Sequence, residues 1–296
     1  MKTSVDDILS KYQGKKVFLI DYLWYCYKCY FVNDHLSNKE GIKTGHLYGV
    51  ANLVERILTT EPDSLILMAI DDGSKNRKLL NENYKANRAE SVFDKDLWEH
   101  SYNLFNDFDN VYFAICENAE ADDVMFSTSR IKKYNNEFII VSGDNDLMQA
   151  LDDTTKIVRK ITFKGFEQVI TESSDYYKNR FGNLAPNKIP IYRAIIGDKS
   201  DNLPSIRKRF PKKIAMYYAE NYPKLDTFQF NAKEAQYLSE IDNSQIFKTN
   251  LEIMKLRQLN VSILPKKPKG QTFRTTDRLQ LRSFRRWISN YLDNAR

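Results

Sequence analysis

Two short segments, "EADD" at 120–123 and "SGDND" at 142–146, bring Glu120, Asp122, Asp123, Asp144 and Asp146 within about 27 positions, beside apolar stretches where acids are usually sparse. Like charges this close repel and raise one another's pKa unless a cation neutralises them. More acids stand at comparable places. Asp21 closes "KVFLID", Asp71 closes "SLILMAID", and Asp198 and Asp201 lie three apart in "IYRAIIGDKSDNLP" (191–204). Asp144 and Asp146, two apart in an extended strand exit, can point the same way. Glu120 and Asp123 share a helix face, whereas Asp122 turns away unless it lies in a frayed first turn. Any one of these acids alone reads as a helix cap or a solvated turn; a converging set does not. Oxygen donors without His or Cys select hard ions such as Mg²⁺, with Mn²⁺ able to substitute. Two such ions roughly 3.5 to 4 Å apart activate water and stabilise the leaving oxygen of an in-line phosphoryl displacement.

The cations complement that chemistry. Lys75, Arg77, Lys78, Lys85 and Arg88 surround Tyr84 in one segment, a mixture suited to phosphate contact and base stacking. Lys85 and Arg88 are three apart and could reach a scissile phosphate, where positive charge offsets developing negative charge. The bland alternative is an exposed amphipathic helix. Arg207, Lys208, Lys212 and Lys213 form a second basic run in "IRKRFPKK", and "FRTTDRLQLRSFRRW" (273–287) a third. The net charge is +6, yet from Pro204 onward 19 Lys and Arg accompany only 8 Asp and Glu, so the first 203 residues are net acidic. An acidic, metal-binding front and a basic, phosphate-gripping back make one machine.

Elements that would position these residues follow from the apolar pattern. "KVFLID" (16–21), "SLILMAID" (64–71), "VYFAIC" (111–116) and "EFIIVSGD" (137–144) read as buried parallel strands. Helical patterns at 45–60, 120–134 and 146–151 lie between them. The alternation predicts an α/β fold with a mostly parallel central sheet flanked by helices. The functional crevice of such a sheet lies outside the carboxyl ends of its strands, where Asp21, Asp71 and Asp144 would meet. Cys26 and Cys29 have the C-x-x-C spacing of a redox pair or half a zinc site, but no second pair or nearby His accompanies them. Buried helix cysteines are the expectation. With three cysteines, no membrane-length apolar run and no signal-peptide core, the sequence points to a cytoplasm, the host's if the chain is phage-encoded.

"EADD", "SGDNDL" and "GDKSDNLP", in that order, resemble the motifs of the 5′ nuclease superfamily, which includes flap endonucleases, the 5′-exonuclease domains of bacterial DNA polymerases and phage 5′-exonucleases of the primer-removing, ribonuclease H type. The resemblance runs from residue 17 to about 204. It implies metal ligands at Asp21, Asp71, Glu120, Asp122, Asp123, Asp144, Asp146, Asp198 and Asp201, with Asp21, Asp71, Lys85 and Arg88 catalytic. It further implies two Mg²⁺, 5′-phosphate and 3′-hydroxyl products, and a helical arch over about 75–100 containing "NENYKANR". The acidic "ESVFDKDLWEH" (90–100) would keep the second half of that arch off DNA. One departure stands out: the family's glycine-rich hairpin after "SDNLP" is here "SIRKRFPKKIA", without glycine. Backbone amides then approach phosphate less closely, side-chain cations take over, and the family's K⁺ site loses its support.

The expected organisation is therefore an α/β nuclease core over 1–184 and a helical duplex-binding region over 185–296, with a helix-hairpin-helix-like motif at about 190–219. Expected partners are branched, nicked or flapped DNA and RNA–DNA hybrid with a 5′ end, with no membrane and a monomeric state. The family also brings in a single-strand binding protein or sliding clamp, although "SNYLDNAR" at the end is no convincing docking peptide. Two other readings compete. A PIN-type single-strand ribonuclease shares the sheet and part of the acid set but usually lacks the "GDKSDNLP" segment and basic back. A non-catalytic DNA-binding relative would be expected to have lost acids.

Overall fold

The structure is a computed structural model and describes residues 3–37, 41, 43–88, 102, 104–105, 108–162, 164–223 and 231–266. The second half of the expected arch (89–100), the basic run at 273–287 and the segment 289–296 lie outside the described residues.

An eight-stranded sheet runs in the order β1 (Thr3–Ser4), β8 (Ser262–Ile263), β4 (Val111–Ile115), β3 (Leu65–Ala69), β2 (Lys16–Asp21), β5 (Glu137–Val141), β6 (Thr155–Thr162), β7 (Gly165–Ile170). The five middle strands, β4 to β6, are parallel, and β7, β8 and β1 add antiparallel edges. Successive strand residues point to opposite faces, so the apolar runs feed two cores. Val17, Leu19, Leu65, Leu67, Phe138 and Ile140 enter one, while Phe18, Ile20, Ile66, Met68, Ile139 and Val141 enter the other.

Helices α2 (Tyr22–Val32) and α3 (Gly45–Thr60) cover the second face. On α3, Leu47, Val50, Ala51, Val54, Ile57 and Leu58 form the buried stripe expected of 3.6-residue spacing. The first face carries α1 (Val5–Leu9), α5 (Ala121–Ser129), α6 (Asp175–Phe181), α7 (Ile189–Ile196), α8 (Lys212–Asn221), α9 (Ala232–Asp242) and α10 (Gln245–Met254). Its apolar cluster is continuous from Val5 to Ile263, so the helices after residue 184 share the core of the sheet. Helix α4 (Lys75–Leu80) follows β3 at the rim.

From β2 the chain winds outward through β3 and β4, then returns to place β5 and β6 on the other side of β2. The switch point thus falls between the carboxyl ends of β2 and β5, where a ligand crevice opens in folds of this kind. Among the described residues no helix is long and apolar enough to cross a membrane.

Candidate metal and nucleic-acid site

Asp21 ends β2 and caps α2, accepting a hydrogen bond from the Trp24 amide (3.3 Å). Ser142 Oγ donates to Asp21 Oδ2 (2.7 Å) and accepts from the Asp144 amide (3.0 Å), tying the ends of β2 and β5 together. Asp71 follows β3 and accepts from the Ala121 amide at the start of α5 (3.0 Å). Burial, then Asp71 and Asp144, pushes the Asp21 carboxyl up to about 7. Asp122 moves up strongly, first through burial and then through Asp144 and Asp21. Asp71 moves the same way through the protein packed around it, but its side chain keeps solvent access, which moderates the effect. Because α5 begins at Ala121, Asp122 lies in its first turn and belongs with Asp21 and Asp144.

A second group adjoins the first. Asp146, Asp198 and Asp201 can each offer an oxygen so that the three atoms lie within 4.8 Å of one another. Burial raises Asp146 to about 7 despite Arg193, whose Nη1 lies 2.6 Å from it, with Asp144, Asp201 and Asp198 adding to the rise. Arg193 also pairs with Asp198. Burial would raise Asp198, but hydrogen bonds from Ser200 (N 2.8 Å, Oγ 2.6 Å) and the Arg193 charge bring it below its usual value. Its turn depends on Gly197, which sits at φ +73° where a Cβ would come within 2.5 Å of the Ser205 nitrogen.

Three assignments made from sequence need correction. Arg77, read as a nucleic-acid contact, is 4% exposed; its guanidinium forks onto Asp123 (2.7 and 2.9 Å), reaches Glu120 (3.0 Å), and donates through Nε to the Ile253 carbonyl (2.9 Å). Asp123, read as a metal ligand, is committed to that pair and to the Arg257 amide (2.9 Å). Tyr84, read as a stacking platform, is 3% exposed, its hydroxyl 3.1 Å from both Glu120 and Asp201.

Lys85 and Arg88 do meet the acids. Lys85 Nζ lies 2.6 Å from Glu120 Oε1, and Arg88 Nη2 lies 2.7 Å from Asp201 Oδ1. They arrive on turns rather than a shared helix face: α4 ends at Leu80, and Lys85 takes a left-handed φ of 57°. Glu120 is occupied on both oxygens by Lys85, Arg77 and Tyr84. Lys75 and Lys78 are exposed on α4.

In the basic back, Lys208, Lys212 and Lys213 are exposed, while Arg207 pairs with Glu240 (3.1 Å) and lies 5.3 Å from the Tyr237 ring. Cys26 and Cys29 are buried in α2, and burial pushes both thiols up, Cys29 to about 11, against a redox or zinc role. Ser142 and Arg193 escaped the reading of the sequence. Arg193, one and a half turns before Asp198 on a predicted helix, was the legible signal of the two.

A mostly parallel sheet flanked by helices is the fold that this chain shares with solved flap endonuclease and 5′-exonuclease structures. The T5 D15 protein co-crystallized with metal ions superposes with a TM-score of 0.59 at 13% identity, over 94% of this chain and 100% of that one. The catalytic core of Rad2 in complex with DNA substrate gives 0.51 at 14% identity, over 97% and 90%. The family described as "5′-3′ exonuclease, N-terminal resolvase-like domain" matches residues 16–182, and the chain belongs to the 5′-3′ exonuclease family of phosphodiester-hydrolysing nucleases. DNA polymerase I of Caldicellulosiruptor bescii is 30% identical over 210 residues, which cover 69% of this chain but 24% of the polymerase. A 5′-3′ exonuclease of Buchnera aphidicola subsp. Schizaphis graminum is 25% identical over 231 residues, 76% of each chain.

Proposed function

We propose that the chain is a divalent-metal-dependent, structure-specific 5′ nuclease, acting as a 5′-3′ exonuclease and flap endonuclease that removes RNA primers or 5′ flaps during DNA replication. The observation that carries this reading is the meeting, at the switch point, of two adjoining acid groups with Lys85 and Arg88 resting on them. Buried carboxylates with raised pKa and an oxygen-only donor set fit two Mg²⁺, with Mn²⁺ as a substitute. Asp21, Asp71, Asp122 and Asp144 would hold one ion and Asp146, Asp198 and Asp201 the other, with Glu120 between the groups. Bound there, the ions would supply an activated water and neutralise charge on the phosphate.

The chain's own residues do the rest. Ser142 fixes the spacing of Asp21 and Asp144, and Arg193 orients Asp146 and Asp198. Lys85 and Arg88, which rest on Glu120 and Asp201, lie where their charge could reach a scissile phosphate and offset its developing negative charge. The region after residue 184 would hold duplex, α7 and α8 forming the helix-hairpin-helix-like unit, with side-chain cations instead of a K⁺-holding backbone. A single-strand binding protein or sliding clamp is a partner suited to this role, and the chain would act as a monomer.

Cleavage of a 5′-labelled flap, a nicked RNA–DNA hybrid and free single strand, each with Mg²⁺ and with chelator, tests the reading. Mg²⁺-dependent cutting of the first two with sparing of the third is expected. Preference for free single strand would point to a PIN-type ribonuclease, and flap binding without cutting to a non-catalytic relative.

A further inference from the structure

Arg159 lies on β6, outside every motif discussed so far, and its side chain reaches into the acid turn. Its Nη2 donates to the Gly143 carbonyl (3.0 Å) and to Asn145 Oδ1 (3.2 Å). The Tyr176 hydroxyl, from α6, donates to the same Asn145 oxygen (2.9 Å). The Tyr176 ring in turn carries two guanidiniums, with Arg159 Cζ 4.3 Å and Arg180 Cζ 4.4 Å from its centroid. Lys28 of α2 closes the arrangement from behind by donating to the Arg159 carbonyl (2.9 Å). Residues 143 and 145 flank Asp144, and 145 precedes Asp146, so the bracket holds the backbone on one side of Asp144, at the Gly143 carbonyl, and the Asn145 side chain on the other, next to Asp146.

We infer that Arg159, seated on Tyr176, is a positioning residue that fixes the 143–146 turn so that Asp144 and Asp146 present their oxygens together. The inference rests on the metal-dependent reading above. The turn needs such an anchor. Asp144 and Asp146 repel, and both lie past the last residue of β5, where the sheet's own hydrogen bonds have ended. The internal bond from the Asp146 amide to Asp144 Oδ1 (2.8 Å) sets their relative geometry, while Arg159 and Tyr176 tie the Asn145 side chain to β6 and α6. A planar fork with a bound aromatic below it holds two acceptors at a fixed angle, which a flexible ammonium does not. Partners behind a metal's own ligands typically contribute about 10- to 100-fold in affinity or activity.

The test uses the full chain with Arg159→Ala, Arg159→Lys and Tyr176→Phe. Mn²⁺ binding to the DNA-free protein is followed by calorimetry, and single-turnover cleavage of a labelled flap is measured against both Mg²⁺ and flap concentration. Arg159→Ala should weaken Mn²⁺ binding about 10-fold or more and shift the Mg²⁺ dependence of cleavage equally, with the KM for the flap unchanged. Arg159→Lys should not rescue. Tyr176→Phe, which keeps the ring and removes one bond, should shift binding in the same direction by a smaller factor. Unaltered Mn²⁺ binding with a raised KM would make Arg159 a phosphate grip and overturn the inference. Full rescue by lysine, or no shift in Tyr176→Phe if the alanine variant does not fold, would overturn it too. An unmodified protein that binds Mn²⁺ yet never cuts the flap would instead sink the nuclease reading, with the Mn²⁺ titration still judging Arg159.

Discussion

Asp21 and Asp146 both keep their protons to about 7, the first through burial and then Asp71, the second through burial against the pull of Arg193. In an unfolded chain an Asp titrates near about 3.9. A folded pKa above the unfolded one contributes stability that is fully present below about pH 4 and is lost as pH rises to about 7. In chelator, Asp21→Asn and Asp146→Asn should therefore raise Tm over the unmodified protein at pH 8 and lose most of that advantage at pH 4.5. Excess Mg²⁺ should cancel it by supplying the counter-charge. An advantage independent of pH would refute the assignment. With substrate, Asp144→Asn combined with Asp146→Asn should abolish cleavage while flap binding survives or tightens, since negative charge facing phosphate is gone; normal turnover in that double variant would remove the metal site from consideration. Lys85→Ala should lower single-turnover cleavage by about 10²-fold with a smaller loss in binding. Equal losses would mean that Lys85, beyond its ion pair with Glu120, only grips phosphate.

Elements whose burial is decided locally were legible, and those decided by distant partners were not. Strand β2 and helix α3 fall on the expected residues because an unbroken apolar run and a 3.6-residue stripe are each complete in the sequence. The edge hairpin of β6 and β7 mixes Lys, Arg, Glu and Gln with its apolar residues, and β1 and β8 are two residues each and exist only by pairing. The site shows the same division. Helix residues one apart are turned about 100° from each other, so the start of α5 at Ala121 decides that Asp122 joins Asp21 while Asp123 goes to Arg77. Arg77 looks like a surface cation because its acids lie 43 and 46 positions away. It joins α4, α5 and α10, the last through the Ile253 carbonyl. Arg77→Ala should destabilise the fold by about 3 to 5 kcal/mol, the usual cost of stranding a buried charge, with denaturant unfolding as the measure. A loss below about 1 kcal/mol, in the range of exposed pairs, would show that Asp123 finds other compensation.

At the scale of the whole molecule the first 203 residues are net acidic and the rest net basic, which on the proposed reading gives a front that would repel phosphate without metal and a back that would attract it. The structure sharpens which cations are available. Arg207 is engaged by Glu240 and lies over Tyr237, whereas Lys208, Lys212 and Lys213 are exposed around the turn into α8. Arg209 takes a left-handed φ of 59° in that turn, a conformation usually left to glycine, so the chain bends as a glycine-bearing hairpin would while carrying a side chain there. If the three lysines grip phosphates, each contact releases condensed counterion and steepens the salt dependence of duplex binding by about 0.9. Changing Lys208, Lys212 and Lys213 together to Gln should then weaken duplex affinity and flatten the plot of log affinity against log salt by about 2 to 3 units. Arg207→Gln should add less, because its charge is already partly neutralised. Cleavage at saturating protein should change less than affinity, since among the described ion pairs none joins these lysines to the acid groups, Lys212 only lining the cavity beside Asp198. Replacing Na⁺ by K⁺ at constant ionic strength should leave affinity nearly unaltered. A marked K⁺ preference, or a triple variant with the original salt slope, would mean that the bend at Arg209 still presents its backbone to phosphate and that the lysines around it are only a solvated face.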